Sequence, residues 1–214
     1  MKKIFILLII LMICTGCVNI NNDDNKDLII DEVINNNNNP NTMAMGYEYY
    51  LPIGFSKVYD KDYNQKLKYE NNFIYLYVDI VSYFYKNQLN FTEENNSNSE
   101  YYKKITSGDK TGYIKISKEK ENLYYIKIVY NYAKIETYAT RNSINELLTN
   151  SMIILNSIDY NDNLIEKILE NNYSRGVEKE YKIDKPEDAT SKFSEYLSEY
   201  IQEEESKVSD LPEY

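Results

Sequence analysis

The strongest chemical pattern in the chain is FIYLYVDIVSYFY, residues 73–85. Alternation with period two predicts a strand with Ile74, Leu76, Val78, Ile80 and Phe84 on one face. Tyr75, Tyr77, Tyr83 and Tyr85 then share the other face with Asp79. Amphipathic rings beside a carboxylate can stack on sugar rings while bonding a hydroxyl, or hold a cationic peptide side chain. Tyr124, Tyr130 and Tyr132 of a neighbouring hairpin would extend that face. Packing is the competing expectation, because the chain holds 24 tyrosines and Tyr packs well beneath helices. A carboxylate in mid-strand needs solvent or a partner, which makes Asp79 the residue to follow.

Other chemistries are narrowed by what is missing. The chain has no histidine, which removes the usual triads and the commonest general base and metal ligand. No P-loop is present, and six glycines form no phosphate cradle. Carboxylate, serine-lysine, tyrosine and oxygen-ligated metal chemistry remain. DYNDNLIEKILE, residues 159–170, places Asp159, Asn161, Asn163 and Glu170 at positions 1, 3, 5 and 12 of an EF-hand-like calcium loop. Leu164 stands where the sharp turn needs glycine, and Leu164, Ile165, Ile168 and Leu169 already trace a helix face. The spacing therefore predicts Asp162 as an N-cap and no metal site. DKDYNQ at 60–65 fails in the same way and reads as a turn.

The N-terminus carries different information. Lys2 and Lys3 precede an apolar run from Ile4 to Cys14, too short for the ~20 residues of a spanning helix and within the range of a secretory signal. Thr15-Gly16 supplies small residues before Cys17. Cys14-Thr15-Gly16-Cys17 resembles a bacterial lipobox, with Cys14 in place of the usual aliphatic residue. The resemblance implies a covalent diacylglycerol on Cys17, cleavage before it, and a lipoprotein on the extracytoplasmic face of the cell membrane. Two or more acyl chains anchor stably where one does not. Cys14 and Cys17 are the chain's two cysteines, so a processed chain would hold no internal disulfide or free thiol nucleophile.

Net charge is −10, and loss of Lys2 and Lys3 would leave 22 basic against 34 acidic residues, or −12. So acidic a body repels nucleic acid and anionic membrane surfaces. Residues 18–45 are rich in Asn and Asp and close an Asn run with Pro40, which predicts a disordered tether with a reach of roughly 30 Å. Within it the apolar patch Leu28-Ile29-Ile30 with Val33-Ile34 could form a helical turn or dock.

From Gly46 on, strand patterns come first and helices follow. Short strands are expected at 47–51 and 55–59 around Pro52-Ile53-Gly54, with a surface loop at 92–100. TGYIKIS (111–117) and the long LYYIKIVYNYAKIETYA (123–139), bending near Asn131, form the expected hairpin. Ser143 and Glu146 read as a capping box for a helix burying Ile144, Leu147, Leu148, Ser151 and Leu155. An edge strand at 177–183 and a helix burying Phe193, Tyr196, Leu197, Tyr200 and Ile201 complete the expected elements. The fold class is α+β, an antiparallel sheet of about five or six strands with C-terminal helices on one face. The domains are a signal peptide (1–16), lipidated cysteine and tether (17–45), an α+β core (46–161), and a helical extension with a frayed acidic tail (162–214). YYLPIGFS at 49–56 and the element order resemble the PsbP-like α/β/α sandwich of small exported accessory proteins, which implies a binding or accessory role and transfers no catalytic residue.

Two functions compete. The first is a non-catalytic surface lipoprotein that binds a protein or a cell-wall glycan, without cofactor beyond its lipid. The second is a carboxylate-based wall-glycan hydrolase using Asp79 with another acid such as Glu136, which requires two carboxyl groups roughly 5–10 Å apart in a cleft. A chaperone of exported chains would need a large exposed apolar groove.

Overall fold

The structure of the protein is a computed structural model, describing residues 22–36, 38–87, 99–171, 178 and 183–186. The signal segment with Cys14 and Cys17, most of the expected strand at 177–183 and the expected helix around 193–201 lie outside the described residues. The chain is α+β, with ten described strands in two antiparallel sheets.

Seven strands form the large sheet: β3 (Phe55–Lys61), β4 (Asn64–Tyr69), β5 (Asn72–Val78), β6 (Ser99–Ser107), β7 (Lys110–Lys120), β8 (Leu123–Tyr130) and β9 (Ala133–Ala139). Their order is β3-β4-β5-β9-β8-β7-β6, so two meanders meet where β5 pairs with β9. The strand count exceeds the expected five or six for local reasons. Asp62-Tyr63 and Asn131-Tyr132 have positive φ at both residues (53° and 65°; 51° and 59°), the signature of two-residue hairpin turns. The first turn makes β4, where the sequence suggested only a turn. The second divides the expected long arm 123–139 into β8 and β9.

The strand expected over 73–85 ends at Val78. Asp79 instead accepts from the Ser82 amide at 2.9 Å and its hydroxyl at 2.7 Å, capping the short helix α2 (Ile80–Phe84). An N-cap bond of this kind offers the chain a helical exit that period-two alternation does not reveal.

The expected tether is also corrected. Residues 22–35 form helix α1 (Asn22–Asn35), and Thr42–Ala44 is strand β1. Ile30 is fully buried and Val33 nearly so, while Leu28 remains exposed. The apolar patch docks, and its helical spacing overrides the disorder-prone composition around it. Helix α3 (Ile144–Asn156) lies beside α1 on the inner face of the large sheet, over β8 and β9. Ile74, Leu76, Ile114, Ile116, Ile126, Ile128 and Ile135 form that face, and Leu147, Leu148, Met152 and Leu155 meet it. Each such side chain contributes about 1.5–3 kcal/mol on burial. Asn156 joins the two helices, donating from Nδ2 to Val33 O (2.9 Å) and Asn36 O (3.1 Å).

The small sheet is β1, β2 (Tyr47–Tyr49) and β10 (Asp159–Tyr160), ordered β1-β2-β10. Gly46 turns between β1 and β2 at φ 90°, and a Cβ there would stand 3.0 Å from Ile165 Cγ1. Ile165 belongs to α4 (Asp162–Glu170). Buried Gln65 links the two sheets, accepting from Tyr49 OH at 2.6 Å and donating to Tyr47 OH at 3.0 Å. Two caps shift from expectation. Thr140 and Ser143 form the capping box of the turn 141–143, leaving Glu146 to accept from Tyr69 OH, and Asn161 rather than Asp162 caps α4 through the Leu164 amide at 3.0 Å.

Candidate functional site on the outer face of the large sheet

Alternation along the strands leaves polar and aromatic residues on the face opposite α1 and α3. The register aligns them in rows across the sheet. One row runs Lys66, Tyr75, Glu136, Lys127, Lys115 and Tyr102. The next runs Asn64, Tyr77, Lys134, Val129, Tyr113 and Lys104. Most of these side chains are half-buried, unlike the sealed aliphatic inner face. Rings meet as Tyr125 with Tyr138 (centroids 5.3 Å apart) and Tyr102 with Tyr113 (5.9 Å).

Glu136 sits at the centre. It accepts from Tyr125 OH at 2.5 Å and pairs with Lys134 Nζ at 2.7 Å. Lys134 also pairs with Glu178. Burial pulls the Lys134 ammonium down, but its bonds to Glu136 and Glu178 outweigh that and hold it above the ordinary lysine value. Burial and then the Glu136 bond push the Tyr125 phenol far up. Both groups keep one protonation state across the physiological range, which suits ionic recognition better than proton transfer.

The second focus is Lys66. Its Nζ lies 2.5 Å from Asp184 Oδ2 and 4.0 Å from the Phe73 ring centroid. Tyr75 OH donates to the same Asp184 oxygen at 3.0 Å. The Asp184 bond raises the Lys66 ammonium, while Tyr75 is raised by burial first and by Asp184 second. Lys185 lies over the Tyr138 ring at 5.2 Å. Glu178 and Asp184 thus meet the two rows, and Lys185 meets the outer face beside them at Tyr138.

Of the residues expected to share one ligand face, the structure brings Tyr75 and Tyr77 together. Asp79 is occupied as the α2 cap. Tyr83 turns toward the small sheet, stacking on Tyr160 at 3.7 Å and donating to Asp162 Oδ1 at 2.9 Å. Tyr85 ends α2, exposed and edge-on to Phe84. Tyr124 and Tyr130 point into the core, and Tyr132 packs against Tyr83. Sequence reasoning missed Tyr113, Tyr125, Tyr138, Lys66, Lys115, Lys127 and Lys134. The available signal was phase: in LYYIKIVY the isoleucines share parity with Tyr124 and Tyr130, so Tyr125 and Lys127 must face outward.

Asp79 and Glu136, the acids a hydrolase would use, are held separately by Ser82 and by Lys134 with Tyr125. Asp159 pairs in register with Glu48, and Asn161 is spent on its cap. Asn163 and Glu170 lie along α4. Among the described residues no cluster of three or more acidic, histidine or cysteine side chains is placed to hold a metal, and no helix is long and apolar enough to cross a membrane. Compared with known proteins, the chain matches no family model, no curated protein and no solved structure.

Proposed function

We propose that this chain is a lipid-anchored, non-catalytic binding module on the extracytoplasmic face of a cell membrane, and that its ligand lies on the outer face of the large sheet. The observation that carries the reading is the alternation of rings and ammonium groups across the outer rows, a pattern that neither a sealed core nor a plain solvated surface requires. Diacylglycerol on Cys17 supplies the anchor, as the lipobox resemblance implies.

Helix α1 changes the geometry of that anchor. Four residues lie between Cys17 and Asn22, so the chain can place the two Cα atoms at most ~18 Å apart. The domain therefore rides close to the headgroups instead of searching at the end of a long tether. The PsbP-like resemblance goes with an accessory role, supported by α3 following the last long strand.

Metabolic labelling of the full chain with an alkyne fatty acid tests the anchor: label and membrane sedimentation should both be lost in Cys17→Ser. For the binding face, the full chain in detergent is melted against a panel of wall-glycan fragments and synthetic peptides. A specific ligand stabilises by ~2.7 kcal/mol at a hundredfold excess over Kd. That shift should vanish in Tyr125→Ala and Tyr138→Ala, and a shift that survives both variants places the ligand elsewhere.

A further inference from the structure

Resting on that reading of the outer face, we propose that its ligand is an extended, carboxylate-bearing peptide segment of a partner protein, and that Glu178 and Asp184 of this chain occupy the same contacts in cis. Net charge is −10, yet the register collects Lys66, Lys68, Lys104, Lys115, Lys127 and Lys134 on this one face. Glu136 lies within those rows and Glu119 near Tyr138 at their border. A concentration of cations on an acidic protein selects carboxylate-bearing partners and steers their approach.

The chain itself displays the recognition chemistry. Asp184 takes both an ammonium and a phenol, from Lys66 and Tyr75, and Glu178 takes Lys134. These are charge-assisted bonds from half-buried ammonium groups to carboxylates that stay largely exposed, stronger than neutral bonds. Lys185 rests against the Tyr138 ring. Tyr75 is left only 6% exposed on a face where its neighbours remain half-open. The rows cross six strands without a described helix over them, which suits a chain laid across the sheet.

Occupancy in cis has a quantitative consequence. A short linker gives its own segment an effective concentration on the order of millimolar. A free peptide must therefore compete at that level, so a peptide that binds the protein lacking its cis carboxylates with a Kd of about 0.1 mM or tighter binds the unaltered protein about tenfold or more weakly.

The test uses the full chain in detergent and a fluorescent peptide of residues 178–186, EKEYKIDKP, read by polarisation. The proposal expects at least tenfold tighter binding to the Glu178→Gln, Asp184→Asn double variant than to the unaltered protein. Binding should weaken with added salt and disappear when the peptide's acids are replaced by amides. Lys66→Gln with Lys134→Gln in the opened background should abolish it; if that variant melts early, Lys115→Gln with Lys127→Gln serves instead. Equal binding to both proteins overturns occupancy in cis. If the opened protein takes wall-glycan fragments and ignores the peptide, the ligand class is wrong while the binding face stands. If it takes neither, the binding face fails as well.

Discussion

Asp184 Oδ2 lies 2.5 Å from Lys66 Nζ, across more than a hundred residues of chain, and shares that oxygen with Tyr75. This contact joins Asp184 to strands β4 and β5 of the large sheet. With Glu178 on Lys134 it makes the outer face a surface already satisfied by acidic groups. A ligand for that surface has to exchange with them.

Helix α1 belongs to the domain and should behave so. Ile30→Ala removes a fully buried side chain over the sheet and should cost about 2–5 kcal/mol in urea unfolding. Asn156→Ala leaves Val33 O and Asn36 O without their donor and should cost about 1–3 kcal/mol. A free tether predicts no change for Ile30→Ala.

Gly112 tests the register of β7 on β8. A Cβ there would sit 1.9 Å from Val129 O and 2.8 Å from Tyr130 Cα, both backbone atoms of the paired strand. Gly112→Ala should lower stability by more than about 3 kcal/mol or prevent folding. Gly108→Ala, at a hairpin tip with φ 61° and open space around it, should cost only about 1–2 kcal/mol. Similar costs at the two positions would refute the predicted approach of the strands.

Alkali is the predicted weak point. Burial raises Tyr47, Tyr49, Tyr77, Tyr125 and Tyr160, and Tyr83 rises to about 12 through burial and then Asp162. A raised folded-state value means that the stabilisation is complete below the unfolded tyrosine value near 10 and is lost above it. The raised Lys66 and Lys134 act with the same sign near the lysine value. Each tyrosine held protonated in the fold removes ~1.4 kcal/mol per pH unit once its unfolded counterpart ionises. No histidine titrates at lower pH. Melting temperature should be level from pH 6 to 9 and drop steeply above 10, with tyrosinate absorbance rising in the same step. Gradual tyrosinate formation in a still-folded chain would contradict the burial.

Asp79 should be a structural cap and nothing more. Asp79→Ala should cost about 0.5–2 kcal/mol and Asp79→Asn much less, because Asn caps as well as Asp. Neither change should alter binding at the outer rows, as measured by ligand-dependent melting. Loss of ligand response in a folded Asp79→Asn protein would return the acid to the site.

The aliphatic face of β5 and the buried face of α3 were legible because period two and period 3.6 leave direct marks on the sequence. Asp79 was not, since a cap after Val78 and a continued strand share the same alternation up to that residue. Asn131-Tyr132 hid a hairpin because neither residue is glycine, although both adopt positive φ. Helix α1 was masked by its composition: Ile30, Val33 and Ile34 docking among asparagines outweigh the local preference for disorder. The lysines of the outer rows were visible individually, but only pairing register placed Lys66 beside Tyr75 and Lys134 beside Tyr77. The contacts of Asp184 and Glu178 are long-range and leave no local signature.

Amine acylation of the full chain, read residue by residue with mass spectrometry, tests the covered outer face most directly. Acylation needs the neutral amine, so lysines held above their ordinary value by a carboxylate react slowly. The account predicts that Lys66 reacts at least tenfold faster in the Glu178→Gln, Asp184→Asn variant, that Lys134 gains less because Glu136 still pairs with it, and that exposed Lys68 is unchanged. Equal rates for Lys66 and Lys134 in the two proteins would show that Glu178 and Asp184 do not hold this face, and would contradict the account.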